Sequence, residues 1–152
     1  MTTPSSEKLW TLRPYKGSDK DFVCFSYNAS TRFGPIGLRM GAHKDKDAAK
    51  RHWLMAQRII DRLLEKCQCT VAEAIVDDVP VICGYVIGEE DVILHYVLTR
   101  RSMFRQGVAS DLLTPWLQSA TPTVYSHLPS VKGLQIPEGW IYDAGAWLKW
   151  FH

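Results

Sequence analysis

Apolar and polar positions follow two different periods along this chain. Between Asp45 and Lys66, "DKDAAKRHWLMAQRIIDRLLEK" sets Trp53, Ala56, Ile60, Leu63 and Leu64 at steps of three, four, three and one. That spacing predicts a long amphipathic helix with these residues on its apolar stripe. Asp45 or Asp47 suits its start, and Lys66 suits its negative end. Its charges read as a solvated face, with a partner surface as the other use. From Thr70 the period shortens. "TVAEAIVD" (70–77) alternates in part, "PVICGYVIG" (80–88) is almost wholly apolar, and "VILHYVLT" (92–99) follows. "DDVP" and "GEED" punctuate them as turns, so the three predict an antiparallel meander with 80–88 central.

The flanks are shorter. "LWTLRPY" (9–15) predicts a strand and "KGSD" a turn, after which Asp19 caps a helix through "DFVCFSYNAS". Phe22, Phe25 and Ala29 are its apolar face. Residues 32–41, "RFGPIGLRMG", hold Gly34, Pro35, Gly37 and Gly41 and predict a loop. "RSMFRQGVASDLL" (101–113) opens as a cationic loop and becomes a helix to about residue 119, interrupted or restarted at Thr114-Pro115. "PTVYSHLP" (122–129) predicts a strand, and "GWIYDAGAWLKWFH" (139–152) one or two more. The order β-α-α-β-β-β-α-β-β predicts a mixed α/β (α+β) fold, a mostly antiparallel sheet flanked by helices. Residues 1–8 read as a flexible N-terminus and 9–152 as a single domain.

Composition narrows the partners. A net charge of +2 is too small to argue for a nucleic-acid or membrane surface. "MTTPSSEK" has no apolar core of a secretory signal, and no apolar run is long enough to span a bilayer, so cytoplasm is the expected setting. Cys67 and Cys69 are spaced C-x-C rather than C-x-x-C, and with Cys24 and Cys83 they read as reduced, structural thiols. No metal site is expected.

One junction suggests chemistry. An apolar strand, two arginines, Gly107 and the small Ala109 stand immediately before a helix. A helix start offers unpaired N–H groups to phosphate oxygens, and arginine grips phosphate bidentately. An ordinary strand–loop–helix junction uses the same residue types. No G-K-[ST] follows, so it is not a nucleotide triphosphate loop.

The stretch "VILHYVLTRRSMFRQGVASDLL" resembles the core motif of the GCN5-related N-acetyltransferases. In that family a strand runs into a Q/R-x-x-G-x-G/A loop and a helix, and the loop binds the pyrophosphate of acetyl-coenzyme A. Gly107 and Ala109 match its second half, whereas the position of the Gln or Arg is Phe104 here. The element order is similar over nearly the whole chain. Compact bacteriophage-encoded versions are similar in feel. The resemblance implies that Arg101, Arg105, Gln106, Gly107, Val108, Ala109 and Ser110 hold the coenzyme. It also implies that a bulge in the fourth strand frees backbone of Tyr96, Val97 and Leu98 for pantetheine. The helix usual before the last strands, a common source of a catalytic tyrosine, shrinks here to "SVKGLQ" (130–135).

Transfer of acetyl to an amine needs a proton acceptor. His95, mid-strand, and Glu73, an acid between apolar neighbours, are candidates. Ser126 and His127 border the other side of the expected cleft. Tyr125 and Tyr142 are candidate acids. Each has a plain alternative: a satisfied buried histidine, a solvent-facing glutamate, packing tyrosines. Trp140, Tyr142, Trp147, Trp150 and Phe151 line an acceptor site, cover a sheet edge or form a homodimer contact.

The expected activity is therefore acetyl-CoA-dependent N-acetyl transfer to a small-molecule or macromolecular amine. Two alternatives stand beside it. One is a catalytically degenerate member of the fold that binds a protein partner, supported by Phe104 and the short 130–135 segment. The other is an acetyltransferase acting on a modified nucleic acid, supported by Arg100, Arg101 and Arg105.

Overall fold

A computed structural model describes residues 9–90, 92–103, 106–127, 136–143 and 145–146, without the side chains of Pro35 and Ile36. Six strands form one sheet in chain order: β1 (Trp10–Pro14), β2 (Gln68–Val76), β3 (Val79–Glu89), β4 (Ile93–Thr99), β5 (Val124–Tyr125) and β6 (Ile141–Tyr142). Strands β1 to β4 are mutually antiparallel. Strands β5 and β6 join parallel to their neighbours. The fold is mixed α/β, a mostly antiparallel sheet flanked by helices.

Helices α1 (Lys20–Arg32), α2 (Pro35–Met40) and α3 (Lys46–Lys66) lie between β1 and β2. Helices α4 (Val108–Leu112) and α5 (Thr114–Leu117) lie between β4 and β5. One core layer joins α1 and α3 to the sheet through Val23, Tyr27, Ile60, Leu63, Val71, Tyr85 and Ile87. The second joins α4 and α5 to the opposite face through Trp10, Val86, Leu94, Val108, Leu112 and Trp116. Each large apolar side chain so buried contributes roughly 2 kcal/mol.

The meander follows its pattern. Asp77 and Asp78 both take positive φ, 51° and 64°, which is the tight turn that matches strand twist. The apolar run of β3 is central, paired on both sides. Its Gly84 and Gly88 make room for neighbours. A Cβ at Gly84 would strike the Leu98 carbonyl and crowd Val108, and one at Gly88 would strike the Trp116 ring and the Ile93 carbonyl. The two short helices thus sit on β3 where it lacks side chains.

Four expectations are corrected. Residues 32–41 are not a loop throughout, because α2 forms there. Pro35 takes its first position, where a missing N–H costs nothing, and Gly41 ends it at φ 75°. Phe25 and Trp53 are not on buried stripes: they are 64% and 42% exposed and meet edge to face with centroids 6.3 Å apart. Val23, Cys24, Tyr27 and Asn28 face inward on α1, and Ala48, His52, Ala56, Ile59, Ile60 and Leu63 on α3. Asp19 stands at the start of α1 without capping it. Its carboxylate accepts from Arg13 at 2.7 and 2.8 Å and from the Lys16 N–H at 2.9 Å. Of the strand expected over 122–129, the described part, 122–127, is strand only at Val124–Tyr125.

The helix after Gly107 does restart at Thr114-Pro115. None of the four cysteines is in a disulfide, and burial pushes the Cys69 thiol up to about 12. No helix among the described residues is long and apolar enough to cross a membrane. Trp140 is half-buried against the second layer, whereas Tyr142 is exposed. Residues 1–8, Phe104, Arg105, 130–135, Trp147, Trp150 and Phe151 lie outside the described residues.

Candidate active site

Strand β4 is irregular at one point. Ile87 pairs with Tyr96 and Gly88 with Leu94, so His95 is the extra residue of a β-bulge. On its other side, β4 is paired with β5 only at Ile93–Val124 and Leu94–Tyr125. The bonds that flank this pair are Val124 N–H to Val92 O at 2.9 Å and Ser126 N–H to Leu94 O at 3.0 Å. Beyond Leu94, no strand among the described residues pairs with that side of β4. Among the described residues, the edge of β4 at Tyr96, Val97 and Leu98 therefore has no strand partner where the two strands part.

A hydrogen-bonded chain of side chains crosses the parting point. His95 Nε2 lies 2.5 Å from Glu89 Oε2, and His95 Nδ1 lies 2.7 Å from Ser126 Oγ. Ser126 Oγ lies 2.9 Å from His127 Nδ1, and His127 Nε2 lies 2.7 Å from Tyr27 Oη. With His95 neutral, one set of proton positions satisfies all four contacts. Carboxylate Glu89 only accepts, so His95 donates from Nε2 and accepts at Nδ1 from the Ser126 hydroxyl. Ser126 then accepts from His127 Nδ1–H, and His127 Nε2 accepts from the Tyr27 phenol.

Burial bears on three of these groups. Burial, with His95 adding to it, pushes His127 down to about 4, so its imidazole is neutral at pH 7. Burial raises the Tyr27 phenol far above its ordinary range and keeps its proton in place. Tyr96, hydrogen-bonded to Ser30, is pushed up to about 12 mainly by burial. The Tyr27, Tyr96 and His127 rings pack edge to face around the chain. His95 itself is 1% exposed and Ser126 3%, whereas the Glu89 side chain is 17% exposed. The chain therefore runs from a buried phenol to a carboxylate near solvent.

The residues singled out in the sequence fall in three places. His95, Ser126 and His127 meet at the parting of β4 and β5, beside the Tyr96–Leu98 edge. Both imidazole nitrogens of His95 are engaged, so the proton within its reach is that of Ser126. Glu73 lies elsewhere. It pairs with Ile82, six residues along β3 from Gly88, which is roughly 20 Å. There its carboxylate holds Arg13 at 2.8 Å. Tyr125 meets Tyr142 with tilted rings, centroids 5.4 Å apart, and touches the second core layer. Glu89 and Tyr27 are the members that the sequence pattern did not single out.

The third place is the turn after β4. Gly107 has φ 93° and begins α4, and among the described residues a Cβ on it would meet only the Trp10 ring, at 4.0 Å. Conformation, not crowding, calls for glycine here. Val108 is buried, Ala109 half-buried, and Arg101, Gln106 and Ser110 are exposed.

Cys67, Glu89 and His95 each offer a ligand atom, all within 4.8 Å of one another. Two donors on tetrahedral zinc sit about 3.3 Å apart. The 2.5 Å between Glu89 and His95 is that of a hydrogen-bonded pair instead.

No family model and no curated protein matches the chain. Among solved structures it is similar to a GCN5-related N-acetyltransferase (aminotransferase, class II) from Rhodopseudomonas palustris. The identity is 16% and the TM-score 0.45, over 72% of this chain and 64% of that one. The chain thus spans less than two thirds of that protein, and a likeness so slight fixes no activity.

Proposed function

We propose that the chain is an acyl-CoA-dependent N-acyltransferase of the GCN5-related kind, with acetyl-CoA as donor and an amine as acceptor. The unpartnered edge of β4 at Tyr96–Leu98, next to the bulge at His95, carries this reading. A pantetheine arm contains two amides and can pair with such an edge as a short strand would. The His95–Ser126 pair then faces the thioester end of the arm. The Gly107 turn lies beyond the far end of β4, where the pyrophosphate falls. There the N–H groups of Gly107, Val108 and Ala109 meet the anion, with Arg101 and Arg105 as charged supports. Helix α4 is only five residues long, so the N–H groups matter more than any helix dipole.

Calorimetry with acetyl-CoA tests this reading. Saturable binding that is lost in Gly107→Val while that variant stays folded is the expected result. No binding by the parent chain overturns it.

A further inference from the structure

We infer that Cys67, Glu89 and His95 form a binding site for a zinc ion, at the end of the sheet where α3 runs into β2. The inference does not depend on the acyltransferase reading. Each of the three residues offers one ligand atom, and the three atoms lie within 4.8 Å of one another. Thiolate, carboxylate and imidazole are all ligands of zinc, and thiolate with imidazole selects it over magnesium or calcium. The charges also match. One thiolate and one carboxylate offset Zn²⁺, and a neutral imidazole adds none.

Three elements converge here for local reasons. Cys67 is the extended residue that ends α3, with φ −116° and ψ 165°. Glu89 is the last residue of β3, and Gln68 pairs with Gly88, so Cys67 and Glu89 adjoin across the β2–β3 ladder. The bulge supplies the third residue. In an unbroken ladder His95 would stand opposite Gly88, on the face that carries Trp116. The extra residue lets Leu94 take that place and leaves His95 beside Glu89. Bulges re-aim side chains in this way near functional sites. Cysteine spacing hides the site, because the partners of Cys67 lie on two later strands.

The other nitrogen of His95 is held as a ligand's should be. His95 Nδ1 lies 2.7 Å from Ser126 Oγ, and such a bond orients a metal-binding imidazole and fixes its tautomer. With zinc on Nε2, the proton stands on Nδ1 and is donated to Ser126. Ser126 then donates to His127 Nδ1, and His127 donates from Nε2 to the Tyr27 oxygen. The chain reverses direction and keeps its contacts. The proton released is that of the Cys67 thiol.

Glu89 Oε2 and His95 Nε2 stand 2.5 Å apart, joined by the imidazole proton. Zinc takes the place of that proton. Its donors sit about 3.3 Å apart, a gap that rotation of the Glu89 side chain can open. That side chain is 17% exposed and Cys67 is half-buried, so the ion enters from solvent. A fourth position stays open to water or another ligand. The ion and the imidazole proton exclude one another, so proton transfer at His95 belongs to the form without the ion.

Titration of the reduced, chelator-stripped chain with Zn²⁺ against a zinc indicator tests this, with Co²⁺ absorption as a further readout. The expected result is one ion per chain with Kd below about 1 μM. Cobalt should give a thiolate charge-transfer band, absent in Cys67→Ser. Cys67→Ser, His95→Ala and Glu89→Gln should each weaken zinc binding by at least about a hundredfold, and Ser126→Ala about tenfold through His95. Cys69→Ser, at the neighbouring thiol, should bind as the parent does, and circular dichroism shows that each variant is folded. Kd above about 1 μM overturns the site. Binding unchanged in Cys67→Ser, or lost equally in Cys69→Ser, also overturns it. Calorimetry with acetyl-CoA bears on the acyltransferase reading alone.

Discussion

His95 Nδ1 lies 2.7 Å from Ser126 Oγ, although the two residues are 31 positions apart, one on β4 and the other just after β5, which touch through two residue pairs. The contact makes them one unit. His95→Ala should lower acyl transfer about a hundredfold or more while binding acetyl-CoA nearly as well as the parent. Groups acting as a unit are not additive, so the double variant with Ser126→Ala should be no slower than Ser126→Ala alone. Steady-state kcat/KM for the three variants checks this. Equal losses that multiply in the double variant would separate the two roles.

His127 should make the protein acid-sensitive. Its folded value near 4 lies below its ordinary 6.5, so the unfolded chain takes up this proton first as pH falls. The stabilisation is complete above pH 6.5 and lost down to about 4, at up to roughly 1.4 kcal/mol per pH unit. Burial lowers His52 too, in the same direction. Urea midpoints of parent and His127→Gln, followed from pH 7 to pH 4, should converge. A constant gap would refute this.

Gly107 should be sensitive for its backbone. At φ 93°, Gly107→Ala should cost about 1 kcal/mol of stability even though, among the described residues, its Cβ meets only Trp10 at 4.0 Å. Gly107→Val should bind no measurable acetyl-CoA. Arg105→Ala should bind about tenfold more weakly, or roughly 1.4 kcal/mol. Thermal melts and calorimetry distinguish the two kinds of loss.

Arg13 should matter for stability rather than for turnover. It bridges Asp19, which is buried, and Glu73, at 2.7 and 2.8 Å. Its guanidinium holds the Asp19 carboxyl below the usual carboxylate range. Arg13→Met leaves a buried carboxylate without its partner and should cost about 3 kcal/mol. Asp19→Asn in that background should recover part of the loss. Chemical denaturation measures both.

Local pattern made some elements legible and hid others. Helix α3 and the β2–β4 meander were readable because period and turn residues agreed over long windows. Helix α2 was hidden by its glycines, although Pro35 and Gly41 stand where a short helix begins and ends. Spacing alone does not separate the exposed Phe25 and Trp53 from the buried faces of α1 and α3, because aromatic residues fit helical spacing whether they face the sheet or each other. His95, Ser126 and His127 drew notice as polar groups on apolar strands. Glu89 looked like a turn residue in "GEED", and Tyr27 lies 100 positions from its partner His127, beyond any local signal.

Strand order equal to chain order also bears on how the molecule folds. Strands β2 to β4, from Gln68 to Thr99, close through short hairpins and meet little loop-closure cost. Strand β1 must wait for three helices to be placed, and β5 adds only Val124–Tyr125 to a sheet already built. His95 thus belongs to the early unit and Ser126 to the late one. In refolding, amides of β3 should gain protection from exchange before those of Val124 and Ser126, so the acid–histidine half exists before its serine arrives.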